Sequence, residues 1–284
     1  MVLSIFPKFL AHLSVTQLAR VVRDVGLDTT NLVVRDGSWV SRSKFADDLP
    51  KFMRAARDEG LDIRFATAGF SADEIIADES LVARLTEHGI RDFRMDYFRY
   101  TGGDPRREFD EARRKLGQVA SVCQRCGIRA VYQVHHRMLI ASAWSAWELV
   151  RDLPPGAVGV ELDPGNQSHE GFEAWDKSIR LLGEYGEYFV AAGIKDSRVW
   201  RDEAHAADPD KGWRRAWCPI DEGVTNWRDF LTACAASRFD GTFVFMPFYD
   251  PEDPTAQLAK LKREVAYFKR VRSETREQPC PKSS

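Results

Sequence analysis

The chain has 284 residues, of which 44% are hydrophobic and 30% charged, so it can bury one large core or two smaller ones. Its 41 lysines and arginines nearly balance 43 aspartates and glutamates, and the formal net charge of −2 excludes the strong positive field typical of proteins that bind nucleic acid or membrane surfaces. No apolar run approaches the roughly 20 residues that cross a bilayer. We therefore expect a cytoplasmic protein whose partner is a small-molecule substrate, not nucleic acid or a membrane.

Short β-type apolar runs alternate with longer helical patterns along the chain. The strand-like runs cover residues 3–6, 30–35, 63–67, 93–97, 128–134, 157–163, 188–196 and 242–248. The helical patterns cover residues 15–25, 44–59, 78–88, 108–126, 142–152, 172–184, 226–236 and 254–271. A glycine closes several helices just before the next strand, at Gly26, Gly60, Gly89 and Gly127, as is typical of helix ends.

Eight βα units in strict alternation predict a parallel sheet closed into a barrel, that is, an α/β protein with a (β/α)8 TIM barrel fold. An open doubly wound sheet is the alternative, but the first strand lacks the glycine-rich turn that binds phosphate in such folds. We expect one barrel domain over residues 1–271. The stretch 197–225 has no regular pattern and predicts a lid loop over the pocket, and the tail 272–284 predicts disorder.

The carboxyl-terminal ends of the strands are where this fold carries its catalytic residues. Polar or ionisable side chains stand at those positions after seven of the predicted strands: Arg35, Asp36, Thr67, Arg94, Asp96, Gln133, His135, His136, Asp163, Asn166, Lys195, Asp196, Tyr249 and Asp250. Such a ring at the ends of buried strands favours a ligand pocket over a merely solvated surface.

His135 is in phase with Gln133 on the fifth strand and should face the barrel axis, where an imidazole could shuttle a proton. By the same alternation, His136 should point away, towards packing or solvent. Asp163 precedes Pro-Gly and either acts in the site or simply caps the following helix.

Lys195 and Arg94 each have two interpretations. Lys195 is either a structural partner of Asp196 or a substrate-facing cation whose pKa burial could lower. Arg94 either clamps a carboxylate or phosphate through its guanidinium fork or forms a scaffold ion pair with Asp92 or Asp96.

Six segments carry a resemblance that covers residues from about 3 to 250: NLVVRDGSWV, GIRDFRMDYFRYT, AVYQVHHRM, VGVELDPGNQSHEG, GIKDSRVW and PIDEGVTNW. In order and spacing they resemble the sugar phosphate isomerase/epimerase family, whose fold is the xylose isomerase-like TIM barrel. The resemblance implies a divalent metal bound by Glu, Asp and His from strands five to eight. It also implies movement of a proton next to a sugar carbonyl.

The family pattern is only partly kept. Residues at matching positions are Gln133, His135, Asp163, Glu170, Lys195 and Asp196. Polar residues expected from the family are replaced by Trp39, Asn166, Met246 and Phe248. The resemblance therefore implies catalytic roles for His135, Lys195, Glu170 and Asp163. We expect the substrate to contact Arg94, Gln133, Asn166, Asp196 and an apolar wall formed by Trp39, Met246 and Phe248.

The metal site implied by the family is degenerate. Asp163, His135 and Gln133 together supply one negative charge, whereas hard divalent cations take about four to six oxygen or nitrogen ligands with compensating carboxylates. We therefore expect either no cofactor or a weakly bound Mn²⁺ or Mg²⁺. The apolar replacements favour a substrate with an apolar or aromatic part.

Three functions remain open. The first is an isomerase or epimerase that moves a proton α to the carbonyl of a sugar-like substrate, with His135 or Glu170 as base and Lys195 as partner acid. The second is a metal-independent lyase-type enzyme that acts on a larger, partly aromatic glycoside or natural product. The third is a binding or partner protein without catalysis. A homo-oligomer is a weak expectation from the fold alone.

Overall fold

Parallel strands form the barrel that the sequence predicts. The structure is a computed structural model that describes residues 1–171, 173–205, 207, 212–249 and 253–277. The barrel strands are β1 (Val2–Ile5), β2 (Thr29–Thr30), β3 (Leu32–Val33), β4 (Phe65–Thr67), β5 (Asp92–Arg94), β6 (Arg129–Gln133), β7 (Val158–Leu162), β8 (Phe189–Ile194) and β11 (Thr242–Phe245). All eight predicted strand regions are confirmed.

The ring of strands closes through the second strand region. The order in the sheet is β2-β1-β11-β8-β7-β6-β5-β4-β3, with every pairing parallel. Only Asn31 separates β2 from β3, and its backbone N–H donates to the Ile5 carbonyl at 2.8 Å. The two ends of this order, β2 and β3, are joined through Asn31, so neither is a free edge strand and the open doubly wound sheet is excluded.

Helices cover the outside of the barrel. They are α1 (Val15–Val25), α2 (Phe45–Asp58), α3 (Ala72–Ala77), α4 (Ser80–Glu87), α5 (Pro105–Cys126), α6 (Ala143–Val150), α7 (Pro164–Gln167), α8 (Trp175–Ile179), α9 (Trp227–Ala236) and α10 (Pro254–Glu277). The four predicted glycine caps are confirmed by left-handed φ angles of 81°, 79°, 89° and 67°. None of the helices in the described ranges is long and apolar enough to cross a membrane.

The last helix is longer than the sequence predicts. Helix α10 continues to Glu277, so the prediction of disorder from residue 272 is wrong for 272–277. Val271 and Thr275 are buried, and the contacts of these two side chains hold the last turns on the barrel. The rest of the predicted tail, 278–284, lies outside the described residues.

The stretch predicted as an irregular lid contains a β-hairpin. Strands β9 (Asp196–Arg201) and β10 (Trp213–Cys218) pair antiparallel, so the prediction of a structureless loop is wrong. Asp196 explains the order at the base of the hairpin. Its buried carboxylate accepts hydrogen bonds from Ser197 N at 2.7 Å, Thr225 N at 3.1 Å and Trp227 Nε1 at 2.8 Å.

An irregularity in β8 decides which of its side chains face the barrel interior. Val160 of β7 pairs with Phe189, but the next residue, Glu161, pairs with Ala191, so Val190 is an extra residue, as in a β-bulge. Beyond Val190, the outward-facing residues of β8 pack with the helix layer. Gly193 faces inward, and a Cβ atom added there would lie only 2.9 Å from an Asp163 carboxylate oxygen. The same alternation turns Lys195 inward.

Candidate active site

A buried ion pair lies at the carboxyl-terminal end of the barrel. Lys195 Nζ lies 3.3 Å from Asp163 Oδ2, and the two side chains are 5% and 0% exposed. The same ammonium donates a hydrogen bond to Asn166 Oδ1 at 2.8 Å. The rings of Trp217 and Phe248 lie 4.4 and 5.5 Å from Nζ, within the range of cation–π attraction. Lys195 therefore has two oxygen neighbours and two aromatic faces around its charge.

Asp163 has three hydrogen-bond donors besides its ion pair. Gln133 Nε2 donates to Oδ2 at 2.7 Å, while Asn166 donates to Oδ1 through its backbone N–H at 2.8 Å and to Oδ2 through Nδ2 at 2.9 Å. Hydrogen bonds of this kind favour the ionised carboxylate. An ionised Asp163 in turn favours the protonated form of Lys195.

Gln133 is fixed at both ends of its amide. The Tyr97 hydroxyl donates to its Oε1, and its Nε2 donates to Asp163 and lies 3.7 Å from Met246 Sδ. Met246 is buried inside the barrel with Phe6 and Val33. Gln133 and Met246 thus fill the space beside Asp163 with an amide and a thioether.

The second ion pair of the site includes a residue that the sequence analysis missed. Arg94 Nη1 lies 3.7 Å from Glu161 Oε2, a separation longer than a hydrogen bond. The expected partners of Arg94 are engaged elsewhere, Asp92 with Arg129 and Asp96 with Arg99. The signal for Glu161 was available, because it alternates in phase with Asp163 on one predicted strand.

Burial shifts the protonation equilibria of three of the four charged groups, Lys195, Asp163 and Glu161. It lowers the pKa of Lys195 and raises that of Asp163, and the charge of each partner opposes the shift of the other. Burial also raises the pKa of Glu161 to about 7, against the lowering effect of the Arg94 charge. Both carboxylate oxygens of Glu161 are buried without a hydrogen-bond partner in the described part of the chain, which gives a physical reason for that shift.

Three stacked histidines lie beside the ion pair. The ring centroids are 4.5 Å apart for His135 and His136 and 4.3 Å apart for His136 and His169, and Trp217 of β10 lies 4.8 Å from His169. Burial lowers the pKa of His135 to about 4 and that of His169 to about 3. Both imidazoles are therefore neutral at pH 7 and able to accept a proton.

His136 does not point away from the site as predicted. Its Nδ1 lies 3.1 Å from Asn166 Oδ1, and its ring stacks on that of His135. Strand β6 ends at Gln133, so the alternation of a strand no longer applies at residues 135 and 136. His135 itself packs against the Tyr97 ring at 4.7 Å, and its Nδ1 lies 2.7 Å from the His136 carbonyl oxygen.

Asp163 also caps a helix, so the two interpretations offered for it are compatible. It is the N-cap of α7, and its Oδ1 accepts from Asn166 N. Helix α7 packs directly on the strand end that bears the lysine, because a Cβ at Gly165 would lie 2.7 Å from the Lys195 carbonyl oxygen. One short element thus positions both Asp163 and Asn166 around Lys195.

Several predicted site residues have other contacts. Trp39 donates its Nε1 to the Leu13 carbonyl at 2.8 Å and packs on Phe52, so the prediction that it lines the pocket is wrong. The sequence could not show that its loop turns towards α2. Trp217, from the hairpin, is the indole that packs against Lys195.

Asp196 and Glu170 hold the backbone around the site. Asp196 follows the inward Lys195 and so faces outward, where its carboxylate binds the base of the hairpin; the prediction that it contacts substrate is wrong for this geometry. Glu170 Oε1 accepts from Arg137 N at 2.6 Å, and Arg137 has a left-handed φ of 61°. Asp250 lies outside the described residues.

The residues at the site do not fit a divalent metal. Gln133 and Asn166 present N–H donors to Asp163, where metal ligands would present oxygen lone pairs. Within the described ranges, no group of three or more His, Cys, Asp or Glu side chains is arranged to hold a metal ion. The Lys195 ammonium already provides a positive charge next to the carboxylate that would otherwise bind a cation.

Comparisons with known proteins agree with this architecture. A family model described as a xylose isomerase-like TIM barrel matches residues 19–271. A search of curated proteins finds no match. Among solved structures, D-psicose 3-epimerase from Clostridium cellulolyticum H10, crystallised with D-tagatose, has a TM-score of 0.69 at 15% identity, covering 98% of this chain and 100% of that chain.

Two further structures are similar. An L-ribulose 3-epimerase has a TM-score of 0.73 at 14% identity and covers 97% of this chain and 95% of its own. The probable 3-DHS dehydratase AsbF from Bacillus anthracis has a TM-score of 0.69 at 15% identity, with 95% and 99% of the two chains covered. At identities this low, the structural similarity shows a shared fold alone.

Proposed function

The chain belongs to the xylose isomerase-like TIM barrel family, and from that premise we propose that it is an enzyme that moves a proton α to the carbonyl of a sugar-like substrate without a resident metal. The observation that carries the proposal is the buried Lys195–Asp163 pair beside a histidine that is neutral at pH 7. A fixed cation and a neutral base are the two groups that enolisation of a carbonyl compound requires.

Lys195 is the proposed electrophilic group. When the α-proton leaves, negative charge develops on the carbonyl oxygen, and a cation held in a dry site stabilises that charge without reorganising. Asp163 and Asn166 fix the ammonium from one side. In this role, a lysine replaces the positive charge that a divalent ion supplies in metal-dependent enolisation.

His135 is the proposed base. Its Nδ1 lies 2.7 Å from the His136 carbonyl oxygen. Because a carbonyl only accepts hydrogen bonds, the proton of the neutral ring is on Nδ1. Nε2 is then the nitrogen with a free lone pair. Return of the proton to the opposite face of the same carbon gives an epimer, and its return to the former carbonyl carbon gives an isomer.

A lyase is the second candidate. The same first step leads to elimination when a hydroxyl group stands β to the carbonyl, because the enolate then expels that hydroxyl, which takes up the proton held by His135 and leaves as water. The aromatic rings of Trp217, Phe248 and Tyr97 around the ion pair favour a substrate with an apolar part. The dehydratase among the similar structures shares this fold.

The test is hydrogen exchange in D₂O, followed by NMR on a panel of ketoses and keto-glycosides, with and without EDTA. We expect deuterium at the α-carbon at a rate unchanged by EDTA or by added Mn²⁺. Lys195→Met should slow exchange by about 100-fold or more, whereas Lys44→Met, which removes an exposed lysine, should not. Product analysis separates the epimer or isomer from the dehydrated product.

Two outcomes would contradict the proposal. Exchange that stops with EDTA and returns with Mn²⁺ would show that a metal performs the role assigned to Lys195. Absence of exchange on every member of the panel, together with ligand binding, would favour the third possibility, a binding protein without catalysis.

A further inference from the structure

A cavity of about 330 Å³ opens at the carboxyl-terminal end of the barrel, next to the ion pair. Arg94 and Tyr97 line it from the side of the proposed active site, and Arg35, Asp36 and Thr67 line it from the neighbouring strand ends. Tyr97 bonds to Gln133, which bonds to Asp163. Tyr97 thus connects the lining of the cavity, through two hydrogen bonds, to the carboxylate that holds Lys195.

Two arginines in this cavity are able to bind an added anion. The Arg35 side chain is exposed and makes no hydrogen bond or ion pair with any residue that the structure describes. Arg94 is only 12% exposed, and its one ion-pair partner, Glu161, lies 3.7 Å away, which leaves its guanidinium donors without a close acceptor.

The two acidic residues of the cavity do not compete for these arginines. Asp36 accepts hydrogen bonds from the Ser41 hydroxyl at 2.5 Å and from Ser43 N at 3.4 Å. Asp96 holds Arg99 through two hydrogen bonds of 2.8 and 3.1 Å. The remaining arginine in the lining, Arg42, is bonded to Gly69 O and Glu74, so Arg35 and Arg94 are the cations left for a ligand.

Two aromatic rings, Phe6 and Phe248, lie between Arg94 and Lys195. Phe6 and Phe248 pack edge to face with centroids 5.5 Å apart. The Arg94 guanidinium lies 5.4 Å from the Phe6 ring, and Lys195 Nζ lies 5.5 Å from the Phe248 ring. A molecule whose carbonyl meets Lys195 and whose anionic group meets Arg94 would lie across these two rings.

The backbone of the cavity favours a carboxylate over a phosphate. A phosphate site in proteins generally uses several free backbone N–H groups. Here six backbone N–H groups along the lining already donate within the chain, at Val34, Arg35, Ala68, Gly69, Met95 and Asp96. Two guanidinium groups remain, and their planar forks match the two oxygens of a carboxylate.

We propose that the substrate is a sugar acid, whose carboxylate binds Arg35 and Arg94 while its carbonyl lies against Lys195. This inference rests on the proposed function for the position of the carbonyl, but the carboxylate subsite is tested by binding alone. It adds a substrate class to that function, since a neutral ketose would offer no anionic group to either arginine.

The experiment is a calorimetric titration of the full chain with matched pairs: D-glucuronate against D-glucose, D-galacturonate against D-galactose, and D-fructuronate against D-fructose. D-glucose 6-phosphate is the phosphate control. We expect at least one acid to bind about tenfold or more tightly than its neutral partner. Arg35→Met should remove most of that preference, while Arg91→Met, which removes an exposed arginine at the opposite end of the barrel, should keep it.

The titration and the exchange experiment together test the carboxylate subsite and the proposed function separately. If no acid binds more tightly than its neutral partner, whether all bind alike or none binds, the inference is wrong. If the phosphate ester binds most tightly and depends on Arg35, the anion site is real but the assignment to a carboxylate is wrong. Binding of an acid through Arg35 without any α-proton exchange would support the carboxylate subsite and refute the proposed function. Exchange on neutral sugars without a preference for acids would support the proposed function and refute the carboxylate subsite.

Discussion

Asp163 has two structural roles, one for each of its carboxylate oxygens. Its Oδ1 caps α7, and its Oδ2 faces Lys195, Gln133 and Asn166 Nδ2. Asparagine is as good an N-cap as aspartate, but it carries no charge. Replacement by asparagine therefore keeps an oxygen that can cap the helix, but it removes the charge beside the lysine and the acceptor of the Gln133 and Asn166 side chains.

We predict that Asp163→Asn folds but loses activity most strongly at high pH. Burial lowers the pKa of Lys195, and the Asp163 charge opposes that shift; without the carboxylate, the pKa of Lys195 falls further. The ammonium is then lost at a lower pH than in the parent protein. The measurement is the rate of α-proton exchange from pH 5 to 9, with circular dichroism to check the fold. An equal loss at every pH would show that Asp163 acts through something other than the charge of Lys195.

At the scale of single residues, the sequence predicted those that follow strand alternation or end a strand. Lys195, Asp163, Asn166, Gln133, Met246 and Phe248 meet at the site because they stand at the ends of neighbouring strands. Trp39 and Glu170 were assigned from the family pattern, and their contacts depend on loop paths that one sequence does not reveal. Trp217 was missed because its position depends on the pairing of a hairpin that showed no strand pattern.

Helix α7 is the element that links the end of β7 to Lys195, and its close packing depends on a glycine. A Cβ at Gly165 would lie 2.7 Å from the Lys195 carbonyl oxygen and 2.8 Å from Lys195 Cγ. Real Cβ atoms do not approach that closely, so α7 or the end of β8 would have to move. Both movements would separate Lys195 from Asn166.

We predict that Gly165→Ala lowers both stability and substrate binding. The crowding should reduce the free energy of unfolding by about 1–3 kcal/mol, and displacement of Lys195 should raise KM as well as lower kcat. Gly156→Ala is a matched control, because a Cβ at Gly156 meets nothing within 4 Å. Urea unfolding and steady-state kinetics on the two variants provide the comparison. Unchanged stability in Gly165→Ala would mean that α7 relaxes freely.

Among the elements, the strands and most helices were predictable because their apolar periodicity and glycine caps are local signals. The boundary errors occurred where tertiary contacts extend or interrupt a pattern. The predicted helix 78–88 is confirmed by α4, but α3 was missed, although Ser71 starts it through a capping box with Glu74. The hairpin was not predictable, since buried hydrogen bonds to Asp196 order its base and these join residues about 30 positions apart.

At the scale of the whole molecule, another buried carboxyl group connects the last helix to the barrel. Glu264 of α10 is fully buried and accepts from Ile220 N at 3.1 Å, and the Tyr249 hydroxyl lies 2.5 Å from its Oε2. It thereby connects the last helix to the segments that follow β10 and β11. Burial raises its pKa from the usual 4.5 to about 8.

We predict that stability falls as pH rises from about 4.5 to 8, because in this window the unfolded chain has released the Glu264 proton and the folded chain retains it. Glu161, with its pKa raised to about 7, contributes in the same direction. Glu264→Gln has a neutral side chain of the same shape at every pH. The melting temperature of this variant should therefore fall less between pH 5 and 8 than that of the parent protein, by at least about 4 °C. Thermal unfolding of both proteins at pH 5 and 8 decides this. Parallel curves would show that Glu264 is ionised in the folded protein.

The extra residue Val190 in β8 has a consequence for how such a site could arise or be lost. Because Glu161 already pairs with Ala191, deletion of Val190 would remove the bulge and leave the facing of every later residue of β8 unchanged. Deletion of one residue from the regular part of the strand, such as Ala192, would instead reverse the facing of the residues after it, so that Asp196 would take the inward position of Lys195. The position of a single-codon deletion, and not only its length, therefore decides whether a barrel of this kind keeps its internal ammonium or exchanges it for a carboxylate.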